Sequence, residues 1–234
     1  MALHLGAAGT YLREAAAAAS EAGPVFYVDN HMRPYTGKHV VRRGWRMQDK
    51  RVKPGTSDYY VHDEDGRPVL RICAPNHGAL TDWLSPIAQL LRLALGAEET
   101  ILLAFDRAGA FPEQMTQLRD GGFEFVTYER KPYPQLVAAD FTEEVTLNGE
   151  KLRICDTRKN LGNARGRVRR IAVRLPDGHQ VNLLATSSRT AVELVEVMRG
   201  RWMRVPRDPD HRFHGKPITC STRSRSPIPR QSDQ

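Results

Sequence analysis

A chain of 234 residues, 40% hydrophobic and 26% charged, is long enough for one large domain or two small ones and has an ordinary globular composition with a buried core. Its net charge of +8 points to an anionic partner, nucleic acid before membrane, yet nine Lys or Arg against three Asp lie from Arg199 onward, which leaves only about +2 for the rest. Cys73, Cys155 and Cys220 are too scattered for a disulfide framework or a CxxC-type zinc site, and no leader-like start or bilayer-length apolar run is present, so no membrane and a reducing cytoplasm are expected.

Taken in order, the Ala-rich stretch from Leu3 to Ala22 reads as a helix stopped by Gly23-Pro24. Val25 to Asp29 is nearly all apolar or aromatic, as expected of a central strand covered on both faces, and Pro34 closes that segment. The basic stretch Lys38 to Lys53 reads as a long exposed loop. Asp58 to His62 and Pro68 to Cys73 flank an Asp-Gly turn at Asp65-Gly66, which predicts an antiparallel hairpin. Leu80, Trp83, Leu84, Ile87, Leu90, Leu91 and Leu95 recur at helical spacing before Gly96, so an amphipathic helix leads into the strand Ile101 to Phe105.

Pro112 to Arg119 follows as a short helix and Phe123 to Tyr128 as a further strand of a mixed sheet. Residues 141–147, 151–155, 168–175 and 180–185 form a β-rich insertion, with turns at Asn148-Gly149 and Asp177-Gly178. Thr190 to Arg199 resumes a helix with Ala191, Leu194, Val195 and Met198 on one face. Past Trp202 the periodicity ends in an Arg, Pro and Ser-rich tail expected to be disordered.

The chemistry-bearing feature is that two apolar runs each meet a single carboxylate, Asp29 and Asp106. Asp also starts turns, and either residue alone would read that way. On adjacent strands about 5 Å apart, the two would repel by roughly 3 kcal/mol at an effective dielectric near 20. A divalent ion removes that penalty, and Mg²⁺ suits hard oxygen ligands. His31 is a candidate for orienting a ligand from outside the metal shell.

The runs Phe26-Tyr27-Val28-Asp29-Asn30-His31-Met32-Arg33-Pro34-Tyr35-Thr36-Gly37 and Leu103-Ala104-Phe105-Asp106-Arg107-Ala108-Gly109, with Asp65-Gly66-Arg67-Pro68 between them, resemble the catalytic core of DDE transposases of bacterial insertion sequences. The likeness covers about Gly23 to Trp202. It implies an α/β, RNase H-like mixed sheet flanked by helices, with a β-rich insertion before the last helix. The expected division is an N-terminal helix (1–23), a core (24–130), the insertion (131–188), the start of the last core helix (189–202) and a disordered basic tail (203–234).

The resemblance further implies Mg²⁺- or Mn²⁺-dependent hydrolysis and strand transfer at transposon ends. Asp29 and Asp106 would serve as the first two catalytic acids and as ligands of a two-metal site, with Asp29 bridging both ions. The family's third motif places a Glu four residues after an Arg. Anchored on Arg201-Trp202, this chain offers Met198, Arg201, Val205 and Arg212, so the Glu is missing. Glu193 and Glu196 lie one to two turns too early. We therefore expect a truncated, impaired copy whose last residues come from a shifted frame.

Lys38, Arg42, Arg43, Arg46, Lys50, Arg51 and Lys53, with Trp45 interleaved, form a basic segment suited to phosphate contacts, and Arg201 joins them as a DNA-binding candidate. Arg165, Arg167, Arg169 and Arg170 are a second cluster of that kind. The expected partner is DNA, with self-association admitted and a nucleoid-associated cytoplasmic location. Two other readings stay open: a non-catalytic DNA-binding remnant, and a small nuclease that uses Glu193 or Glu196 as its third acid.

Overall fold

The computed structural model describes residues 23–46, 50–74, 76–162 and 165–203. The expected N-terminal helix (3–22) and basic tail (204–234) lie outside them. One mixed sheet of ten strands organises the described residues. Its strands are β1 (Val25–Pro34), β2 (Arg43–Arg46), β3 (Arg51–His62), β4 (Pro68–Ala74), β5 (Leu102–Phe105), β6 (Glu124–Tyr128), β7 (Glu143–Leu147), β8 (Glu150–Asn160), β9 (Arg167–Arg174) and β10 (Gln180–Ala185). The helices are α1 (Thr81–Leu95), α2 (Pro112–Asp120) and α3 (Ala191–Met203). The strand order is β2-β3-β1-β5-β6-β10-β9-β8-β7, with β4 also paired to β3.

The centre is parallel: β5 lies between β1 and β6 in the same direction. These segments are apolar without alternation because helices cover both faces. Phe26, Val28, Leu103 and Phe105 enter the core that contains α1 and α2, whereas Val25, Tyr27, Leu102 and Ala104 enter the core that contains α3. In α1, Leu84, Ile87, Ala88, Leu91 and Leu95 form the buried stripe that the helical spacing predicts. Gly23 introduces β1 with φ +83°, and a Cβ there would stand 2.1 Å from the Thr100 carbonyl oxygen, so only glycine fits. These features make the fold an α/β, RNase H-like mixed sheet flanked by helices.

Three expectations are corrected. First, β1 does not end at Asp29: it runs on to Pro34, paired antiparallel with β3 as far as Pro34↔Gly55. What ends near Asp29 is its other neighbour, β5, whose last partner is Val28↔Phe105. Second, the basic segment is not simply a loop. Arg43 to Arg46 pairs with Arg51 to Pro54 as an arm, because Trp45 and Val52 form a β-prone cross-strand pair. Third, the sheet does not stop at β6. Antiparallel pairing of Leu183↔Tyr128 through Ala185↔Val126 covers the β6 edge and makes the four later strands part of the same sheet. The hairpin expected at Asp65-Gly66 forms as read, joining β3 to β4, and Asn148-Gly149 turns β7 into β8 with φ of 50° and 81°.

Candidate functional site

Strand alternation sets the site. Counting by twos from Tyr27 and Ala104, which both face α3, brings Asp29 and Asp106 to that same face. The final pair of the parallel register, Val28↔Phe105, immediately precedes them, so the two carboxylates are neighbours where β5 ends. Asp29 is exposed and Asp106 half-buried. Asp106 also forms the turn that a solitary Asp would: its Oδ1 accepts the Ala108 N–H at 2.8 Å. Thr127 on β6 donates to the Asp106 carbonyl at 3.0 Å and fixes its backbone. Asp29 thus sits within β1, and Asp106 one residue past the end of β5.

His31 shares the Asp29 face and lies directly across from Asp58, while Asp29 lies across from Tyr60. Asp58 is fully buried; Arg33 Nε reaches it at 2.7 Å, Arg71 Nη2 at 2.9 Å, and the Tyr60 hydroxyl donates at 3.1 Å. Burial opposes its ionisation, but Arg71, Cys73, Arg33 and Tyr60 outweigh that and hold its pKa below the ordinary value. Burial first, and then the Asp58 charge, raises the Tyr60 pKa. The sequence reading missed this network. Asp58 lies directly across from His31 and Cys73, so Arg33 and Arg71 reach it diagonally from the two neighbouring strands.

A cleft of about 300 Å³ opens beside Asp106 and is bordered by Arg107, Glu129, Lys131, Tyr133 and His179. Glu129 immediately follows β6, next to the strand that carries Asp106, and is a tempting third acid. Its surroundings assign it elsewhere. It binds Lys159 at 2.5 Å, Arg170 at 2.6 Å and the Asn182 amide at 2.7 Å. Lys159 and Arg170 alternate with the strand residues of the α3 core, so they belong to the opposite face of the sheet. Burial again opposes ionisation, yet Arg170, Lys159 and Asn182 together keep the Glu129 pKa low. This carboxylate is already matched by two cations.

The two glutamates of α3 are placed by that helix. Arg189, just before it, donates to the Gly23 carbonyl at the start of β1, and the Tyr128 hydroxyl at the far end of β6 donates to the Met198 carbonyl. So α3 runs in the direction of the parallel strands. Tyr128 is level with Asp106, one step beyond the Phe105↔Thr127 pair, so the Met198 carbonyl that it reaches marks roughly the level of the Asp pair on α3. Glu193 and Glu196 lie about 7 and 3 Å before that level along the helix. Glu193 is moreover a capping residue: Thr190 N–H and Oγ1–H both donate to its Oε2 at 2.7 Å, and its own N–H returns a bond to Thr190 Oγ1 at 3.2 Å. The Thr190 hydroxyl and then its N–H lower the Glu193 pKa.

Asp29 and Asp106 are the side chains that would hold a metal here, and Mg²⁺, which keeps several waters and takes one or two protein carboxylates, suits such a donor pair. Among the described residues, no three His, Cys, Asp or Glu side chains cluster to hold a metal. The basic residues separate from the acids. Arg43, Arg46, Lys50, Arg51 and Lys53 ride on the β2–β3 arm, which continues past the last β1–β3 pair, while Lys38 and Arg42 lead into it. Trp45 and Val52 on the arm are about half exposed. Arg201 lies in the last turn of α3.

No protein-family model matches the chain, and no curated protein does. Solved structures similar to it include the following two. One is the piggyBac transposase synaptic complex with hairpin DNA, at 11% identity over 77% of this chain and TM-score 0.48. The chain spans 38% of that transposase chain. The other is the NurA nuclease from Sulfolobus solfataricus, at 11% identity over 76% of this chain and 72% of the nuclease, with TM-score 0.29. Both scores lie below 0.5, so the functional reading rests on this chain's own residues.

Proposed function

We propose that this chain is the catalytic core of a DDE-type DNA transposase of the bacterial insertion-sequence kind, altered after Trp202. The observation that supports it is the placement of Asp29 and Asp106 as neighbours on adjacent parallel strands, facing the helix that runs toward them. In this reading Asp29 and Asp106 hold Mg²⁺ or Mn²⁺. When bound, the metal supplies Lewis-acid activation of a nucleophilic oxygen and stabilises the leaving oxygen of a phosphodiester. The chain's own residues position the DNA. Thr127 and the Ala108 N–H fix Asp106, Tyr60 flanks Asp29, and the β2–β3 arm offers Arg and Lys to backbone phosphates with Trp45 beside them.

The stretch from Val197 to Arg207, which includes the end of α3, contains no Asp or Glu. A frame change after Trp202 accounts for both this gap and the basic tail, and translating the other two frames of the gene beyond that codon tests it. The protein itself is tested by Mn²⁺ titration monitored by electron paramagnetic resonance. Binding in the native chain that disappears in D29N/D106N supports the reading, and equal binding in both overturns it.

The missing acid favours one second reading, a non-catalytic DNA-binding remnant. Its mark is DNA affinity that Mg²⁺ does not alter and that survives D29N/D106N unchanged.

A further inference from the structure

At the opposite end of the sheet from Asp106, a second cleft of about 380 Å³ opens between the C-terminal end of α2, the β8–β9 edge and the Thr186–Ser188 loop. Four guanidinium groups border it, those of Arg119, Arg158, Arg167 and Arg169, against the carboxylate of Glu124. Arg158 and Arg169 are direct cross-strand partners, and Arg167 lies two residues from Arg169 on the same face, across from Asn160. Like charges placed directly opposite each other in a sheet are destabilising.

The four do not share one fate. Arg169 is held in place: Nη1 donates to the Ser187 and Arg189 carbonyls at 2.8 and 2.6 Å, and Nη2 binds Asp156 at 2.5 Å. Arg119 is held likewise, with Nη1 on the Arg165 carbonyl at 2.7 Å and Nη2 on Asp120 at 3.0 Å. Arg158 and Arg167 are exposed, and their side chains have neither a hydrogen-bond nor an ion-pair partner among the described residues. Two fixed arginines therefore shape a wall beside which two others keep all their donors available. Arginine forks of this kind match phosphate oxygens two at a time.

We infer that this cleft is a second nucleic-acid contact, in which Arg158 and Arg167 grip consecutive backbone phosphates at the end of the sheet away from the Asp pair. It rests on the nucleic-acid reading above only for the identity of the polyanion. The two ends are about 13 Å apart along the strands, and the four strand spacings from β5 to β8 add about 19 Å across the sheet, so a duplex has to run obliquely to touch both.

The test measures affinity of the full chain for a fluorescently labelled 30-base-pair duplex of arbitrary sequence, by anisotropy, across a salt series without divalent metal. R158Q/R167Q is expected to bind at least tenfold more weakly, and to flatten the slope of log K against log salt by about 1.8, the share of two neutralised phosphates. Unchanged affinity and slope overturn the proposal, as does a native chain that does not bind the duplex. A variant-free measurement guards against misfolding: phenylglyoxal modification read by mass spectrometry should show Arg158 and Arg167 protected by the duplex. Equal modification with and without DNA overturns it. D29N/D106N in the same assay separates the two ideas, because loss of Mn²⁺ binding there bears on the metal site and leaves the arginine result standing.

Discussion

Asp29 and Asp106 come from segments 77 positions apart, yet they stand one register step beyond the Val28↔Phe105 pair on adjacent parallel strands and face the same side of the sheet. On the proposed reading, that relationship lets an aspartate within β1 and one just past β5 share a cation. It also makes the pair testable without an activity assay. Asn at position 106 keeps a carbonyl to accept the Ala108 N–H, so D29N/D106N removes charge while preserving the turn. A ligand at 100 times its dissociation constant stabilises by about 2.7 kcal/mol. We expect Mg²⁺ to raise the melting temperature of the native chain and to leave that of the double variant unchanged, as read by calorimetry.

Glu129 should behave as a structural ion. Glu129→Gln leaves Lys159 and Arg170 facing each other without their shared anion, which should cost about 3 kcal/mol in urea unfolding, the lower end for a broken buried pair because both cations reach solvent. The sign with pH follows from the lowered pKa. The stabilisation is complete above the ordinary glutamate value of 4.5 and is lost as pH falls through the lower folded value. A melting-temperature series below pH 4.5 should therefore fall less steeply in E129Q than in the native chain. Parallel curves would show that the ion pairs carry no net stability.

Glu193 closes a capping box with Thr190. Glu193→Ala is expected to lose about 1 kcal/mol of stability, and Glu193→Gln less, because the amide oxygen still accepts from Thr190. Mn²⁺ affinity should be identical in all three proteins. A drop in metal affinity on Glu193→Gln would restore the nuclease reading with this acid as third ligand.

On the β2–β3 arm, Arg43 and Lys50 replaced by Gln should weaken duplex binding about equally for unrelated sequences, because phosphate contacts position without reading bases. The log K against log salt slope should fall by about 0.9 for each phosphate that is no longer neutralised. Replacing Trp45 with Ala should lower affinity for single-stranded DNA more than for duplex, since an aromatic side chain stacks on unpaired bases. Equal losses on both would show that Trp45 serves the arm's shape.

Much of the fold was legible because its signals are local. The α1 stripe, the Asp65-Gly66 and Asn148-Gly149 turns and the apolar β1 and β5 segments are periodicity and turn chemistry written over a few residues. Asp29 and Asp106 stood out for the same reason, as single charges following apolar runs. The continuation of β1 to Pro34 had no such signal: from Asn30 to Arg33 only Met32 is apolar, and pairing with β3 makes the stretch a strand. Nor did the basic arm, whose charge resembles a solvated loop until Trp45 meets Val52.

By itself, the sequence determined the α/β class, the two carboxylates, the absence of any acid from Val197 to Arg207 and the uneven charge. Tertiary structure alone decided which charges meet. It set Asp58 between Arg33 and Arg71, tied Glu129 to Lys159 and Arg170, and placed Arg158 opposite Arg169. The physical reason is that strand register pairs residues from distant parts of the chain, and a slip of one residue sends every side chain to the other face. Chemistry at a sheet therefore depends on register, which no local pattern encodes.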